Sequence, residues 1–290
     1  VDINALRTEK TKIKFVKMQS CGNDYIFFDN MEGKITCPES LAINFVDRHF
    51  GVGGDGIALI ERSDVADAKM RIFNKDGSEG RMAGNSIRCV AKYLFDNGMV
   101  KGKNITIETL SGVKELSLFT FNGKVSSVSV EMGKAVLDGK SIPSTLDGES
   151  VVDRAITVGG KNYNVTLVNV GNPHCVVFCD KVDAVDVPNV GPLFEYSEYF
   201  PERVNTEFVR VVNDTTLKMR VWERGNGETL ACGTGAAAAV VAAVLNGYCR
   251  PDTDVTVKVR GGDLFVRYTS DGMVTLTGGV KQVFEGYIEF

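Results

Sequence analysis

The sequence predicts an α+β protein built from two copies of one unit. Three observations carry this. One stretch repeats another in a fixed register, and each copy gathers short strand patterns about one helical run. The 290 residues, 43% hydrophobic and 24% charged, suffice for one large or two medium domains. Set beneath Arg71 to Gly84, the stretch Arg220 to Gly233 pairs Arg with Arg, aromatic with aromatic and Glu with Glu. The offset is 149 residues, the step from Ala83 to Cys232. It also brings Gly22-Asn23 onto Gly171-Asn172, and Ile26 to Phe28 onto Cys175 to Val177. Matches without a change of register mark a duplication.

Val1 to Thr11 is polar, irregular and without an initiating Met, and is set aside as a disordered lead or an expression remnant. From Lys12 the chain alternates in strand fashion up to Cys21-Gly-Asn-Asp24, and a second strand follows over Tyr25 to Phe28. Asn23 is thereby placed in a turn, as a plain turn residue or as a site residue whose twin is Asn172. Leu41 to Phe50 has helical spacing and runs into Gly51-Val-Gly-Gly-Asp-Gly56. Such glycines can cradle a phosphate, but here a helix precedes them and a strand, Ile57 to Glu61, follows. That order is the reverse of a dinucleotide loop and argues against nucleotide binding.

Met70 to Phe73 forms a strand that enters the turn Asn74 to Glu79. Ile87, Ala91 and Leu94 then share a stripe and Asn97-Gly98 is a stop signal, so Met82 to Gly98 reads as a helix with Ala83 at its mouth. Cys89 lies six residues beyond Ala83, roughly 9 Å along the axis and about 240° around it, and is read as core. Strands follow over Asn104 to Thr109, Val113 to Phe119 and Val125 to Met132. In the second copy strands are expected over Tyr163 to Val170, Cys175 to Cys179, Lys218 to Trp222, Asp254 to Val259, Leu264 to Tyr268 and Met273 to Thr277. Lys134 to Asn162 has no twin and holds the crossing plus a loop around Ser141 to Glu149. Val280 to Phe290 is a last strand returning to the first domain, so the halves are 12–133 with 280–290, and 134–279.

The net charge of −4 and pI near 5.4 leave no basic footprint for nucleic acid. No apolar run of about 18 residues and no signal-peptide pattern appear, so neither membrane nor export is expected. Seven cysteines without a CxxC pair read as reduced thiols in a cytoplasmic protein. Zinc and other metals are disfavoured on the same grounds, the two histidines, His49 and His174, being far apart.

The chemistry centres on Glu228-Thr-Leu-Ala-Cys-Gly-Thr-Gly235, which runs into the apolar stretch Ala236 to Leu245. Cys232 is placed beside the first N–H groups of a helix, which stabilise an anion, be it a thiolate or a substrate carboxylate. It is either a catalytic thiol or a small buried cysteine. A duplicated unit sets two such thiols across a ligand, suited to removing a proton from one face of a carbon and returning one to the other. With Ala83 as the twin of Cys232, one of the two is missing. His174, after Pro173, is a general base or a structural residue; Asn205 is the twin of Gly56, and Glu223-Arg224 is a charge pair entering the central turn.

Gly22-Asn-Asp24, Arg48 to Gly53, Phe73 to Glu79, Gly84-Asn85, Gly171-Asn-Pro-His174, Val204 to Phe208, Trp222 to Gly225 and Ala231 to Gly235 occur in order and in register. With these motifs, from about Lys12 to its end, the chain resembles the pyridoxal-phosphate-independent amino-acid racemases, most closely the diaminopimelate epimerase branch. The resemblance implies two pseudo-symmetric α+β domains, each a mixed or antiparallel sheet wrapped around a central helix, with the active site in the cleft between them. It implies no cofactor, and a cytoplasmic enzyme of lysine and peptidoglycan precursor biosynthesis, with a homodimer as the suggested assembly. Helix mouths at 83–85 and 232–234, with Gly84, Asn85, Gly233 and Thr234, would hold the α-carboxylate of diaminopimelate. Asn23, Asn74, Asn172 and Asn205 would hold its amino and carboxylate groups, with Glu223 and Arg224 beside them. The two bases of the family would stand at Ala83 and Cys232, supported by His174 and Glu223.

Three departures stand out: Ala83 for a catalytic cysteine, Gly56 where some relatives have glutamine, and Ser86 for a frequent glycine. The first implies lost or impaired turnover with binding retained. An engineered substitution leaves such a site, and so does a natural ligand-binding module derived from the enzyme. A racemase of another amino acid, such as histidine, is the remaining alternative.

Overall fold

The computed structural model describes residues 11–80, 84–138, 141–146 and 148–290. The chain divides into two compact units, one running to Ser126 and taking in Val280–Phe290, the other Ser127–Gly279. In chain order the first carries β1 (Lys12–Ser20), β2 (Asn23–Asp29), α1 (Pro38–Phe45), β3 (Gly56–Glu61), β4 (Ala68–Asn74), β5 (Glu79–Gly80), α2 (Gly84–Asp96), β6 (Asn104–Thr109) and β7 (Gly112–Phe121). β8 (Lys124–Lys134) leads across to the second unit. There follow β9 (Arg154–Val158), β10 (Lys161–Asn169), β11 (Pro173–Phe178), α3 (Val187–Glu195), β12 (Asn205–Asn213), β13 (Thr216–Glu223), β14 (Gly227–Glu228), α4 (Gly233–Leu245), β15 (Asp254–Val259), β16 (Gly262–Tyr268) and β17 (Met273–Gly279). β18 (Lys281–Glu289) returns to pair antiparallel with β1.

The boundary falls at Ser126 rather than after Gly133 because Ser127 to Lys134 pairs with Met273 to Gly279. Residues 1–10 of the irregular lead lie outside the described residues, but Thr11 exchanges both backbone hydrogen bonds with Phe290, at 2.9 and 3.0 Å.

The duplication extends to strand pairing. β2 and β3 run parallel with Tyr25 opposite Gly56, and β11 and β12 run parallel with His174 opposite Asn205, so each pair is displaced by the same 149 residues. α2 and α4 occupy matching positions, and each packs against strands of its own unit: α2 on β1, β2, β6 and β7, α4 on β10 to β13 and β15 to β17. α4 is apolar all round, and Ala236 to Ala243 are fully buried, because small side chains let strands approach the helix from every side.

Further details differ from the sequence expectation, among them β12, which was not expected as a strand. Cys21 and Gly22, with φ of 53° and 83°, form a two-residue hairpin turn, so Asn23 opens β2 instead of lying in the turn. α1 ends at Phe45, because Asp47 Oδ1 accepts from the N–H groups of His49 and Phe50 and closes a turn there. α3 went unread because Pro188 and Pro192 interrupt its pattern, although Pro188 sits in the first helical turn, where proline is tolerated. β9 is five residues long and gains its identity only by pairing with β10.

Candidate active site

In the second unit, β11 and β12 begin, and β13 ends, at one end of the sheet. That places His174, Asn205 and Glu223 at the same edge, and α4 begins beside them. Cys232 is the N-cap of α4, with extended φ and ψ of −120° and 115°. The Gly235 N–H donates to its Sγ at 3.3 Å, and the Thr234 hydroxyl lies 3.4 Å away. Burial pushes the Cys232 thiol well above its ordinary range, and Glu223 and Glu207 add to the shift. The contacts from Thr234 and Gly235 pull the other way and do not prevail. The helix terminus is therefore positioned as expected, but Cys232 rests as a neutral thiol rather than as the anion the helix dipole favours.

His174 is fully buried and both ring nitrogens are engaged. Nδ1 lies 2.7 Å from Glu207 Oε1, and Asn172 Oδ1 accepts from Nε2 at 2.9 Å. Asn205 is a strut: its Nδ2 donates to the Pro173 carbonyl at 2.8 Å, and its Oδ1 accepts from the Arg224 N–H at 2.9 Å. Glu223 Oε1 accepts from the Thr229 hydroxyl at 2.5 Å, and the Arg224 guanidinium donates to the Glu202 carbonyl at 3.0 Å. Gly233 is buried in the first turn of α4. The structure thus gathers Asn172, His174, Asn205, Glu223, Arg224 and Cys232 to Thr234 at one edge of one unit.

Two carboxylates in this region were not singled out from the sequence. Glu207 is fully buried within the apolar β12, and a charge amid such a strand was the available signal. Glu195, at the end of α3, is almost fully buried and accepts from the Trp222 indole N–H at 2.7 Å and the Gly225 N–H at 3.0 Å. It thereby holds both ends of the turn carrying Glu223 and Arg224.

In the first unit Asn23 and Asn74 occupy the corresponding edge. Asp55 Oδ2 accepts from Asn23 Nδ2 at 2.7 Å and from the Asp24 N–H at 3.0 Å. Burial raises the Asp24 carboxyl, but Arg48 and Lys17 outweigh it and hold it below the ordinary carboxylate range. Asn74 Nδ2 donates to the Ser78 hydroxyl at 3.0 Å. Gly84 and Asn85 open α2; the Asn85 side-chain Oδ1 accepts from the buried Arg88 guanidinium, which also donates to the Ser20 hydroxyl at 2.9 and 3.1 Å. Ser86 and Gly56, the two other departures, are both buried. Ala83 lies outside the described residues. Cys89 is buried beside Arg88 and burial pushes its thiol up to about 12, in keeping with a core role.

Among solved structures, a probable proline racemase from Agrobacterium radiobacter K84 superposes with a TM-score of 0.69 over 95% of this chain and 92% of its own, at 17% identity. A hydroxyproline epimerase from Agrobacterium vitis superposes with a TM-score of 0.70 over 97% and 92%, at 14% identity. These likenesses define the fold class, that of the proline racemase-like two-domain α+β proteins. Sequence narrows it. The diaminopimelate epimerase family profile matches residues 15–137 and 166–283. The diaminopimelate epimerase of Methanococcus maripaludis strain C5 is 48% identical over 278 residues, 96% of this chain and all of its own length. That of Acetivibrio thermocellus is 47% identical, covering 96% and 99%. The chain belongs to the diaminopimelate epimerase family.

Proposed function

We propose that the chain is a cofactor-independent epimerase of diaminopimelate, interconverting the LL and meso isomers by proton transfer at the α-carbon. The observation that carries this reading is the buried Cys232 thiol capping α4 with Asn172, His174, Asn205 and Glu223 at the same edge. An α-proton beside a carboxylate is barely acidic, so the carbanionic, enolate-like state has to be stabilised as it forms. N–H groups at the mouths of α2 (Gly84, Asn85) and α4 (232–234) do so by oriented electrostatics. Asn23, Asn74, Asn172 and Asn205 hold the amino and carboxylate groups, with Glu223 and Arg224 beside them. Cys232 serves one face of the carbon; the family's second thiol stands where this chain has Ala83. The chain accordingly binds substrate but inverts it slowly or not at all. Each of the two repeats supplies one helix mouth.

The same reading makes the chain a cytoplasmic enzyme of lysine and peptidoglycan precursor synthesis. It also makes it a homodimer, which the exposed apolar side chains of Val283, Phe284 and Tyr287 on β18 support. The test is proton NMR in deuterated water, following the α-hydrogens of LL- and meso-diaminopimelate with this chain and with Ala83→Cys. Interconversion by Ala83→Cys alone supports the proposal. Inactivity of both toward diaminopimelate overturns the substrate assignment, and equal activity of both overturns the need for a second thiol.

A further inference from the structure

Glu207 stands apart from the other carboxylates. It is fully buried, its Oε1 lies 2.7 Å from His174 Nδ1, and its Oε2 has no hydrogen-bond partner. An unpartnered buried carboxylate oxygen is unfavourable, so its retention calls for a reason. Gly235 supplies the geometry. A Cβ built on Gly235 would sit 2.7 Å from Glu207 Oε1 and 3.3 Å from Cys232 Sγ. Only a glycine there lets the carboxylate and the sulfur share one pocket of space at the mouth of α4.

Both ring nitrogens of His174 are engaged, Nε2 by Asn172 Oδ1 at 2.9 Å and Nδ1 by Glu207 Oε1 at 2.7 Å, so the dyad fixes the ring. The repeat shows that this is an addition and not a requirement of the fold. At the positions 149 residues earlier, Glu207 corresponds to Ala58, His174 to Tyr25 and Gly235 to Ser86. The first turns of α2 carry instead the buried guanidinium of Arg88. One copy of the unit has a buried carboxylate near its helix mouth and the other a buried cation.

We infer that Glu207 is a positioning residue that makes Cys232 the proton-donating member of the site. It locks the His174 ring through Oε1 and faces the sulfur across Gly235, so that the resting chain presents a thiol rather than a base. The groups facing Cys232 are Glu223 from β13, Glu207 from β12 and, through Glu207, His174 from β11; Thr234 and Gly235 of its own helix oppose them. In the full reaction, in which a thiolate restored at position 83 takes the α-proton from the opposite face, the S–H bond of Cys232 breaks and its proton forms the new C–H bond on the carbanionic α-carbon. The electron pair left on sulfur is the thiolate that the next turnover in reverse uses as base. The inference rests on the epimerase reading for that consequence alone, because the state of the thiol is measurable without substrate.

The experiment is iodoacetamide alkylation of the full chain across pH, with Cys232 and the exposed Cys37 quantified separately by peptide mass spectrometry. Glu207→Gln removes the charge at constant shape and should make Cys232 react roughly tenfold faster at pH 8, the equivalent of one pH unit in its midpoint. Glu207→Asp should restore most of the original profile, and Cys37 should not change. An unchanged Cys232 profile in a Glu207→Gln chain of native circular dichroism overturns the inference. A second measurement needs no substitution: proton NMR of the unaltered chain should show a far-downfield, exchange-protected imidazole N–H from His174. Its absence shows that Glu207 does not hold the ring and likewise overturns the inference. Neither result depends on epimerisation, so failure here leaves the functional proposal standing, and the reverse also holds.

Discussion

A Cβ built on Gly56 would lie 2.7 Å from Cε1 of Tyr25, its partner across the parallel pair of β2 and β3. It would also lie 2.5 Å from the Phe73 carbonyl oxygen. The glycine that departs from a glutamine of some relatives is therefore required by the Phe73 carbonyl first and by the Tyr25 ring beside it. In the other unit the same register holds His174 and Asn205, where side chains occupy both positions.

Gly56→Gln is expected to destabilise the first unit by about 1–3 kcal/mol, because its Cβ has no space unless the Phe73 backbone and the Tyr25 ring both shift. Urea unfolding should report it, with Gly56→Ala expected to cost nearly as much because the Cβ alone meets the Phe73 carbonyl. Full stability of the single variant would show that the Phe73 backbone and the Tyr25 ring yield without penalty.

Glu195→Ala leaves the Trp222 indole and the Gly225 N–H without their shared acceptor. A loss of about 2–3 kcal/mol is expected. Trp222 is the one tryptophan of the chain, so its fluorescence reports both the unfolding midpoint and any native-state loosening of the turn. A native spectrum and midpoint matching the parent would refute this role.

The α-proton exchange left to this chain through Cys232 should increase with pH. Burial, with Glu223 and Glu207, holds the thiol well above its ordinary value of 9.0, so the thiolate fraction rises about tenfold per pH unit through the neutral range. Deuterium incorporation at pH 7, 8 and 9 measures this, and a flat profile would mean that another group takes the proton.

Global stability should fall in alkali. Burial raises the thiol of Cys89 to about 12 and that of Cys249 to about 11, and lifts Cys175 and Cys232 as well. The unfolded chain ionises these groups near their ordinary 9.0 while the folded chain does not. The stabilisation is thus complete below about pH 8 and is lost as pH rises from there through the folded values. Denaturation series from pH 7 to 11 test this, with Cys89→Ala expected to flatten the decline.

The duplication, most of the strands, the two central helices and the helix mouth at Cys232 were legible in the sequence. Each depends on local chemistry: alternation for strands, a stripe and a stop for helices, a constant offset for the repeat. Asn23 was misplaced by a short step, because hairpin length is set by the φ values of Cys21 and Gly22, which composition does not reveal. α3 was missed where two prolines masked its pattern.

What only the tertiary structure decided is which distant residues become neighbours. Glu207 meets His174 from a strand 33 positions away, and Glu195 meets Trp222 from 27 away, through the register of the sheet and the packing of α3. The charge state of Cys232 belongs to the same category. A helix N-terminus favours the anion locally, but desolvation and two carboxylates oppose it, and both arise from burial, which exists only once the strands have closed around α4.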